Sequence, residues 1–432
     1  FKHIDNSALI IFRVFFGLLI TLESFGAIAT GWVRQTLIEP EFTFSFIGLE
    51  WLQPLPGMWM YVYFCIMGIF GIGVMLGYKY RFSIITFTIL WSGVYFMQKS
   101  SYNNHYYLLV LLNLFMCVLP ANRYFSLDVK QNSSLLKQSM PQWCSFIIIV
   151  QMAIVYTYAS IAKIYPEWLD TTVMEILMRS KKEYYIIGDF LQQQWLHYIL
   201  AYGGILFDLL IIPLLLWKPT RKLAFISAIV FHLFNSIVFQ IGIFPYMSLA
   251  LCVFFFSTKT IQKLFFKNKL FYDEAEVIVP KHKPFLVAAF GLYFLIQIGL
   301  PLRHWFIKDD VLWTEEAHRL SWRMMLRSKS GIAHYTVIDK ETNEKTIIRI
   351  DDYLTKKQKG IASSKPDVIW QFAQRLKQKF AAEGKDVEVY VDCRISVNQR
   401  PLKLLIDPKI DLASVKWNAF KHNEWILPSN ED

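Results

Sequence analysis

The sequence predicts an all-α polytopic membrane bundle of about nine transmembrane helices, followed by a small C-terminal extracytoplasmic α+β domain. Three observations predict it. Of the 432 residues, 54% are hydrophobic and only 18% charged, and the mean hydropathy is +0.33, too apolar for a soluble chain of this size. Apolar runs recur, most of them close to the roughly 20 residues that a helix needs to cross hydrocarbon. After Pro301 the composition turns polar and charged.

The predicted spans are Ala8–Thr30, Met58–Gly77, Phe82–Met97, His105–Leu119, Trp143–Ile164, Trp195–Trp217, Leu223–Ile241, Phe244–Ser257 and Phe285–Leu302. The fourth and eighth are short, which leaves them open to tilting, kinking or a re-entrant path. Residues 1–302 form the membrane domain and 303–432 the soluble one. In the latter, "AHYTVID" and "KTIIRI" alternate around the turn "KETNE" and predict a hairpin. Pro366 opens an amphipathic helix that Gly384 closes, and "VEVYVDCRISV" alternates as a strand.

Loop charge orients the chain. The even-numbered connections hold fourteen Lys and Arg, whereas the odd-numbered ones hold Arg34, Lys99, Arg179, Lys181 and Lys182. The positive-inside rule then places the N-terminus in the cytoplasm and, after nine spans, the soluble domain in the periplasm of an inner-membrane, multi-pass protein. The chain opens on Phe1, which predicts a trimmed start. Its first apolar run is too long for a signal-peptide core, and no small-residue cleavage site follows it. Cys65, Cys117, Cys144 and Cys252 lie in apolar segments and Cys393 in the tail, with no spacing that suggests a metal site or a disulfide framework.

Polar groups inside spans are functional candidates, since each must offset its desolvation. They are Arg13 and Glu23 in the first span, His105 in the fourth, Lys163 in the fifth, Asp208 in the sixth, and His232 with Asn235 in the seventh. Two readings stay open for Lys163, which ends the run "YTYASIAK". Its stem can snorkel, carrying the ammonium to the interface, or it is a desolvated amine that serves as a base. Tyr156, Ser160 and Lys163 share one helical face by their four- and three-residue spacing. Asn103 or Asn104 fits the N-cap of the fourth span, which leaves His105 for proton exchange. His232 and Asn235 lie three apart on one face, as an interhelical hydrogen-bond pair or as part of a site. The topology puts His105, Lys163, His232 and Asn235 toward one side, in a pocket that opens outward beneath the soluble domain. Arg13 and Asp208 fall deeper, toward the cytoplasmic half, with a packing role for Arg13 and a candidate pairing of the two across helices.

Six stretches, "IFRVFFGLLITLE", "NNHYYL", "YTYASIAKIYPEWLD", "FHLFNSIVFQIGIFPYMSL", "LSWRMMLRSK" and "QRPLKLLIDPKIDL", occur in this order between about residues 8 and 415. Together they resemble the vitamin K-dependent gamma-glutamyl carboxylase family, as a bacterial-type member. The resemblance implies that a reduced naphthoquinone, vitamin K hydroquinone or menaquinol, reacts with O2 to its 2,3-epoxide. That reaction generates a strong base, which drives carboxylation of a peptide glutamate with CO2 and needs no metal. It implies Lys163 as the base that deprotonates the quinol and His105 as a second catalytic residue. It points to Asn104, Tyr156, Ser160, His232, Asn235, Trp322, Met324 and Met325 around the quinone. The implied partners are the lipid bilayer, a lipophilic quinol and a glutamate-containing peptide or protein, with no nucleic acid. The region after the last span is shorter than in animal members, whose lumenal part binds a propeptide.

Two other functions remain open: a quinol epoxidase or monooxygenase without carboxylation, and a non-catalytic transporter or scaffold. Against transport, no two-fold repeat and no pair of discontinuous helices is evident. No Gly-rich phosphate loop suggests a flavin enzyme.

Overall fold

The computed structural model describes residues 1–274, 276–324 and 327–430. Each predicted span forms a helix, but they differ in reach. Six helices are long and apolar enough to cross a membrane. They are α1 (Ser7–Ala29), α2 (Trp59–Leu76), α5 (Trp143–Ile161), α6 (Gln194–Leu216), α7 (Arg221–Phe239) and α9 (Lys283–Leu302, extended by a 3-10 turn to Phe306). Between them lie α3 (Tyr80–Met97), α4 (Asn104–Val118) and α8 (Phe244–Leu251, continued as a 3-10 turn to Phe255). At 1.5 Å per residue, α4 covers about 22 Å, short of a hydrocarbon core of about 30 Å. Six helices that combine the length and the hydropathy to cross a membrane therefore stand, among the described residues, where nine spans were predicted.

Small residues set the closest helix contact. A Cβ added at Gly17 of α1 would lie 2.3 Å from the Met75 backbone nitrogen of α2, and one at Gly71 would lie 2.6 Å from Thr21 Oγ1. Without a large hydrophobic driving force between helices in lipid, this close backbone approach supplies the packing.

Arg13 lies on α1 and is fully buried. Its guanidinium donates to three carbonyls of the loop after α4: Ala121 at 3.1 Å, Tyr124 at 3.4 Å and Phe125 at 2.5 Å. The expected pairing of Arg13 with Asp208 is thereby corrected. A guanidinium forks onto several acceptors at once, and the carbonyls beyond α4 offer them.

Two polar poles flank the bundle. At one, β1 (His3–Asp5) pairs antiparallel with β2 (Ser139–Pro141), Lys2 bridges to Val277, and Lys269 meets Asp5 at 2.6 Å. At the other sits the soluble domain, a four-stranded antiparallel sheet in the order β4-β3-β5-β6. Its strands are β3 (Lys329–Asp339), β4 (Lys345–Ile348), β5 (Val387–Val397) and β6 (Lys403–Leu404). The predicted hairpin pairs Tyr335 with Ile348, and β3 runs against β5 from Lys329↔Val397 to Asp339↔Val387. The two-residue period of β5 turns Val389, Val391, Cys393 and Ile395 inward. They pack with Val368, Phe372 and Leu376 of α10 (Pro366–Ala382). Gly384 follows α10 with φ +81°, as a helix-ending glycine should.

The soluble domain is clamped to the bundle through the loops after α1 and α3. Gln358 Nε2 donates to Phe42 O at 2.7 Å, and Gln371 Nε2 to Ser45 O at 3.1 Å. Lys99 and Arg319 both reach Asp367 Oδ2, at 2.6 and 2.5 Å. Burial tends to raise the Asp367 carboxyl, but Arg319 and Lys99 outweigh it and hold the group below its usual range. Burial lowers Lys99 to about 8, against the pull of Asp367.

Two predictions follow from these contacts. Gly17→Ala forces α1 from α2 and should cost about 1–3 kcal/mol by overpacking, read as a lower melting temperature in detergent. Asp367→Asn leaves two buried cations without their counter-charge and should cost about 3–5 kcal/mol, read as faster proteolysis at the seam. A carboxyl held low contributes stability above its unfolded pKa and loses it as pH falls through the lower folded value. Wild-type docking should therefore weaken in acid, and the Asn variant should lack that step.

Candidate functional site

The chain "SIAKIYPEW" leaves α5 in a way that turns its lysine inward. α5 ends at Ile161, and Tyr165 takes an extended conformation ahead of Pro166, which opens the short helix Pro166–Leu169. Three contacts then fasten this corner to α6. Ser160 Oγ donates to Ile205 O at 3.0 Å, Lys163 Nζ meets Asp208 Oδ2 at 2.5 Å, and Trp168 Nε1 donates to Ala201 O at 3.0 Å. Lys163 Nζ also donates to Ala159 O at 3.0 Å and lies 5.6 Å from the centre of the Trp168 ring.

Lys163 is only 8% exposed, so the ammonium does not snorkel. Asp208 lies just past the middle of α6, and the Lys163 side chain folds back along α5 to reach it. The sequence offered it as an intramembrane candidate and as a partner for Arg13, not for Lys163. The available signal was a lone carboxylate in a span that follows a lone lysine.

Two turns before Lys163, on the same face, the Tyr156 hydroxyl lies 2.9 Å from His232 Nε2. The predicted stripe of Tyr156, Ser160 and Lys163 thus faces α6 and α7 throughout. His232 is ringed by Phe207, Phe231 and Phe244 in edge-on contacts. His105 stacks against the same Phe244 ring at 3.9 Å between centroids. The structure therefore links His105, Phe244, His232 and Tyr156, and sets Lys163 with Asp208 beside them.

His105 lines a cavity of about 670 Å³ between α1, α4 and the start of α8. Its wall includes Glu23, Trp32, Tyr106, Phe244 and Met247. Tyr106 donates to Glu23 Oε1 at 2.8 Å. The wall is mostly apolar, and Lys163 is not part of it. A second cavity, of about 530 Å³, lies at the seam with the soluble domain, between Ala162 and Tyr165 on one side and His304, Asp310 and Arg323 on the other.

The remaining candidates are placed elsewhere. Asn103, not Asn104, caps α4, accepting from the Tyr106 amide at 2.8 Å. Asn104 accepts from Tyr102 and donates to Arg323 O at 2.8 Å, tying α4 to the seam. Asn235 Nδ2 bonds to Phe231 O of its own helix and not to His232. Trp322 is fully buried and stacks on Tyr107 at 4.9 Å, in the bundle core, with Met324 packed against that core. Met325 lies outside the described residues. Glu315, Ala317, Leu320 and Trp322 all adopt left-handed φ, a costly conformation for side-chain-bearing residues. The segment is held by Leu320 N donating to Tyr102 Oη at 2.7 Å and by the Trp322 stack.

Apolar helices of membrane length, an ion pair buried among them and a mixed α/β domain seated on one pole define a membrane protein with a soluble domain. Family models agree with that division. The HTTM domain matches residues 1–259, and the lumenal domain of vitamin K-dependent gamma-carboxylase matches residues 282–432. The chain belongs to the vitamin K-dependent gamma-carboxylase family. No solved structure matches it.

The Tyr156–His232 contact is directly testable. Tyr156→Phe leaves a buried imidazole nitrogen unpaired and should cost about 1–3 kcal/mol, measured as a lower melting temperature.

Proposed function

We propose that this chain is a membrane-embedded, quinol-dependent carboxylase of peptide glutamate, with Lys163 as the base that takes the proton of the quinol hydroxyl. One observation carries this reading: in a family of vitamin K-dependent carboxylases, this lysine is buried in the bundle and held against a carboxylate, not extended to the interface. On oxygenation, reduced vitamin K or menaquinol supplies the strong base that glutamate deprotonation requires, and CO2 then adds to the carbanion.

The residues present suit a flat lipophilic ring. The cavity of about 670 Å³ is walled by apolar and aromatic side chains and bordered by His105 and Glu23. In this reading His105 meets the ring's polar edge and exchanges protons there. Tyr156 and His232 form the polar strip behind Phe244. Ser160 holds the end of α5 in place through Ile205. Trp322 and Met324 close the bundle core from the seam, while Asn104 and Asn235 shape the site through the backbone bonds that they make. A dry, apolar surround protects a reactive base from water.

The same proposal takes all nine helices as crossings, with the N-terminus cytoplasmic and the soluble domain periplasmic. The contacts of the two poles support it. Loops after α1 and α3 touch the soluble domain, whereas the N-terminal strand meets the connection before α5 and that before α9.

The test uses detergent-purified protein with reduced vitamin K or menaquinol, O2, labelled bicarbonate and a short glutamate peptide. Epoxide and fixed label are expected, and Lys163→Ala should lower both by about 100-fold or more while leaving the protein folded. Undiminished products in that variant would end the assignment of Lys163. Lysine-dependent epoxide without label across varied peptides would make the protein a quinol epoxidase. Neither product from folded wild type would return the transporter or scaffold reading.

A further inference from the structure

The Lys163–Asp208 pair raises a chemical problem. As an ammonium, Lys163 has no lone pair and can accept no proton. The pair is nevertheless buried, with side-chain exposures of 10% and 5%. Stability does not explain it, because desolvating two ions roughly offsets their attraction. Nor does the helix contact need it, since Ser160–Ile205 and Trp168–Ala201 fasten the same corner above and below.

We propose that Asp208 is the positioning residue of Lys163 and the holder of its proton, so that the two side chains act as one proton-accepting unit. This rests on the reading of Lys163 as the quinol's base. The proton moves from Nζ to Oδ2 along the 2.5 Å contact. An N–H bond breaks, an O–H bond forms, and ammonium with carboxylate becomes amine with carboxylic acid, with no change in net charge. The freed lone pair of Nζ then takes the quinol's hydroxyl proton. That O–H bond breaks, its electron pair stays on oxygen, and a new N–H bond forms. The pair now carries one positive charge, which balances the one negative charge on the quinolate. No oxidant enters this step.

The geometry favours such sharing. An ammonium has three donors, and among the described residues two of them are met, by Ala159 O and Asp208 Oδ2. The backbone bond fixes the amine's direction whichever partner holds the proton, so Nζ stays in place through the exchange. Asp208 therefore acts through Lys163 and has no need to touch the quinol.

The test compares full-length wild type, Asp208→Asn, Asp208→Glu and Lys163→Ala in detergent, each checked by its melting temperature. The first readout needs no quinol: the rate at which 1-fluoro-2,4-dinitrobenzene arylates Lys163, read by mass spectrometry. Without the carboxylate that holds its proton and covers it, the amine of Asp208→Asn should label about tenfold faster. Asp208→Glu, which keeps a carboxylate, should stay near the wild-type rate. The second readout is quinol epoxidation, where Asp208→Asn leaves Nζ no carboxylate to pass its proton to and should lose about 100-fold in kcat over repeated turnovers with KM nearly unchanged, and Asp208→Glu should recover most of it. Unchanged labelling in Asp208→Asn overturns the proposal, as does equal loss of kcat in the Asn and Glu variants, which marks a structural brace. Should Asp208→Asn not fold, Asp208→Glu decides alone: wild-type labelling with retained kcat supports the unit, and loss of either overturns it. If wild type forms no epoxide, the functional reading fails, and the labelling rates still decide whether Asp208 controls the amine.

Discussion

A polar group inside hydrocarbon must find its partner within the protein, and this constraint shapes the bundle. Arg13 finds three carbonyls past the end of α4, Glu23 a tyrosine hydroxyl, His232 another, and Lys163 a carboxylate. Each pairing joins elements far apart in sequence. The desolvation cost that makes such residues rare thus also specifies which helices must be neighbours. Arg13 is the structural extreme, fully buried against main-chain acceptors that have no chemistry to offer. Lys163 is the opposite case, since its partner can itself exchange a proton.

The soluble domain obeys the same rule at the seam. Asp367 is shared by a lysine from the bundle's loop and an arginine from the crossing segment, so one carboxylate fixes three parts of the chain. Four non-glycine residues with left-handed φ lie in that segment. They are tolerable because Trp322 is stacked in the bundle core and Leu320 is tied to Tyr102. Strain there is offset by burial on both sides.

Periodicity made much of this legible in the sequence. The two-residue alternation of 387–397 and 333–339 set those strands, and Pro366 and Gly384 bounded α10. Hydropathy placed every membrane helix to within a few residues. Reach was legible in part: α4 and α8 are apolar yet short, as the fourth and eighth runs already were in the sequence. Pairing was hidden. Lys163 and Asp208 are separated by a long excursion of chain, and nothing in either helix alone says which carboxylate or guanidinium lies opposite. The helical spacing of Tyr156, Ser160 and Lys163 correctly put them on one face. That face's partners on α6 and α7 required the fold. Of the two polar residues three apart on α7, His232 bonds across helices to Tyr156, whereas Asn235 bonds within its own helix.

The relation between His105 and Lys163 follows from one turn. After α7, Gln240 and Gly242 take left-handed φ of 53° and 40°, which reverses the chain, and Pro245 in the first turn of α8 fixes its start. That reversal brings the Phe244 ring onto two histidines from different helices, stacked on His105 and edge-on to His232. His105 is thereby turned to the lateral cavity, while His232 is turned to Tyr156 and the face that carries Lys163. The phenyl ring itself has no proton to donate or accept. In the proposed reaction one quinol meets both His105 and Lys163, so its ring must reach past Phe244 from the cavity.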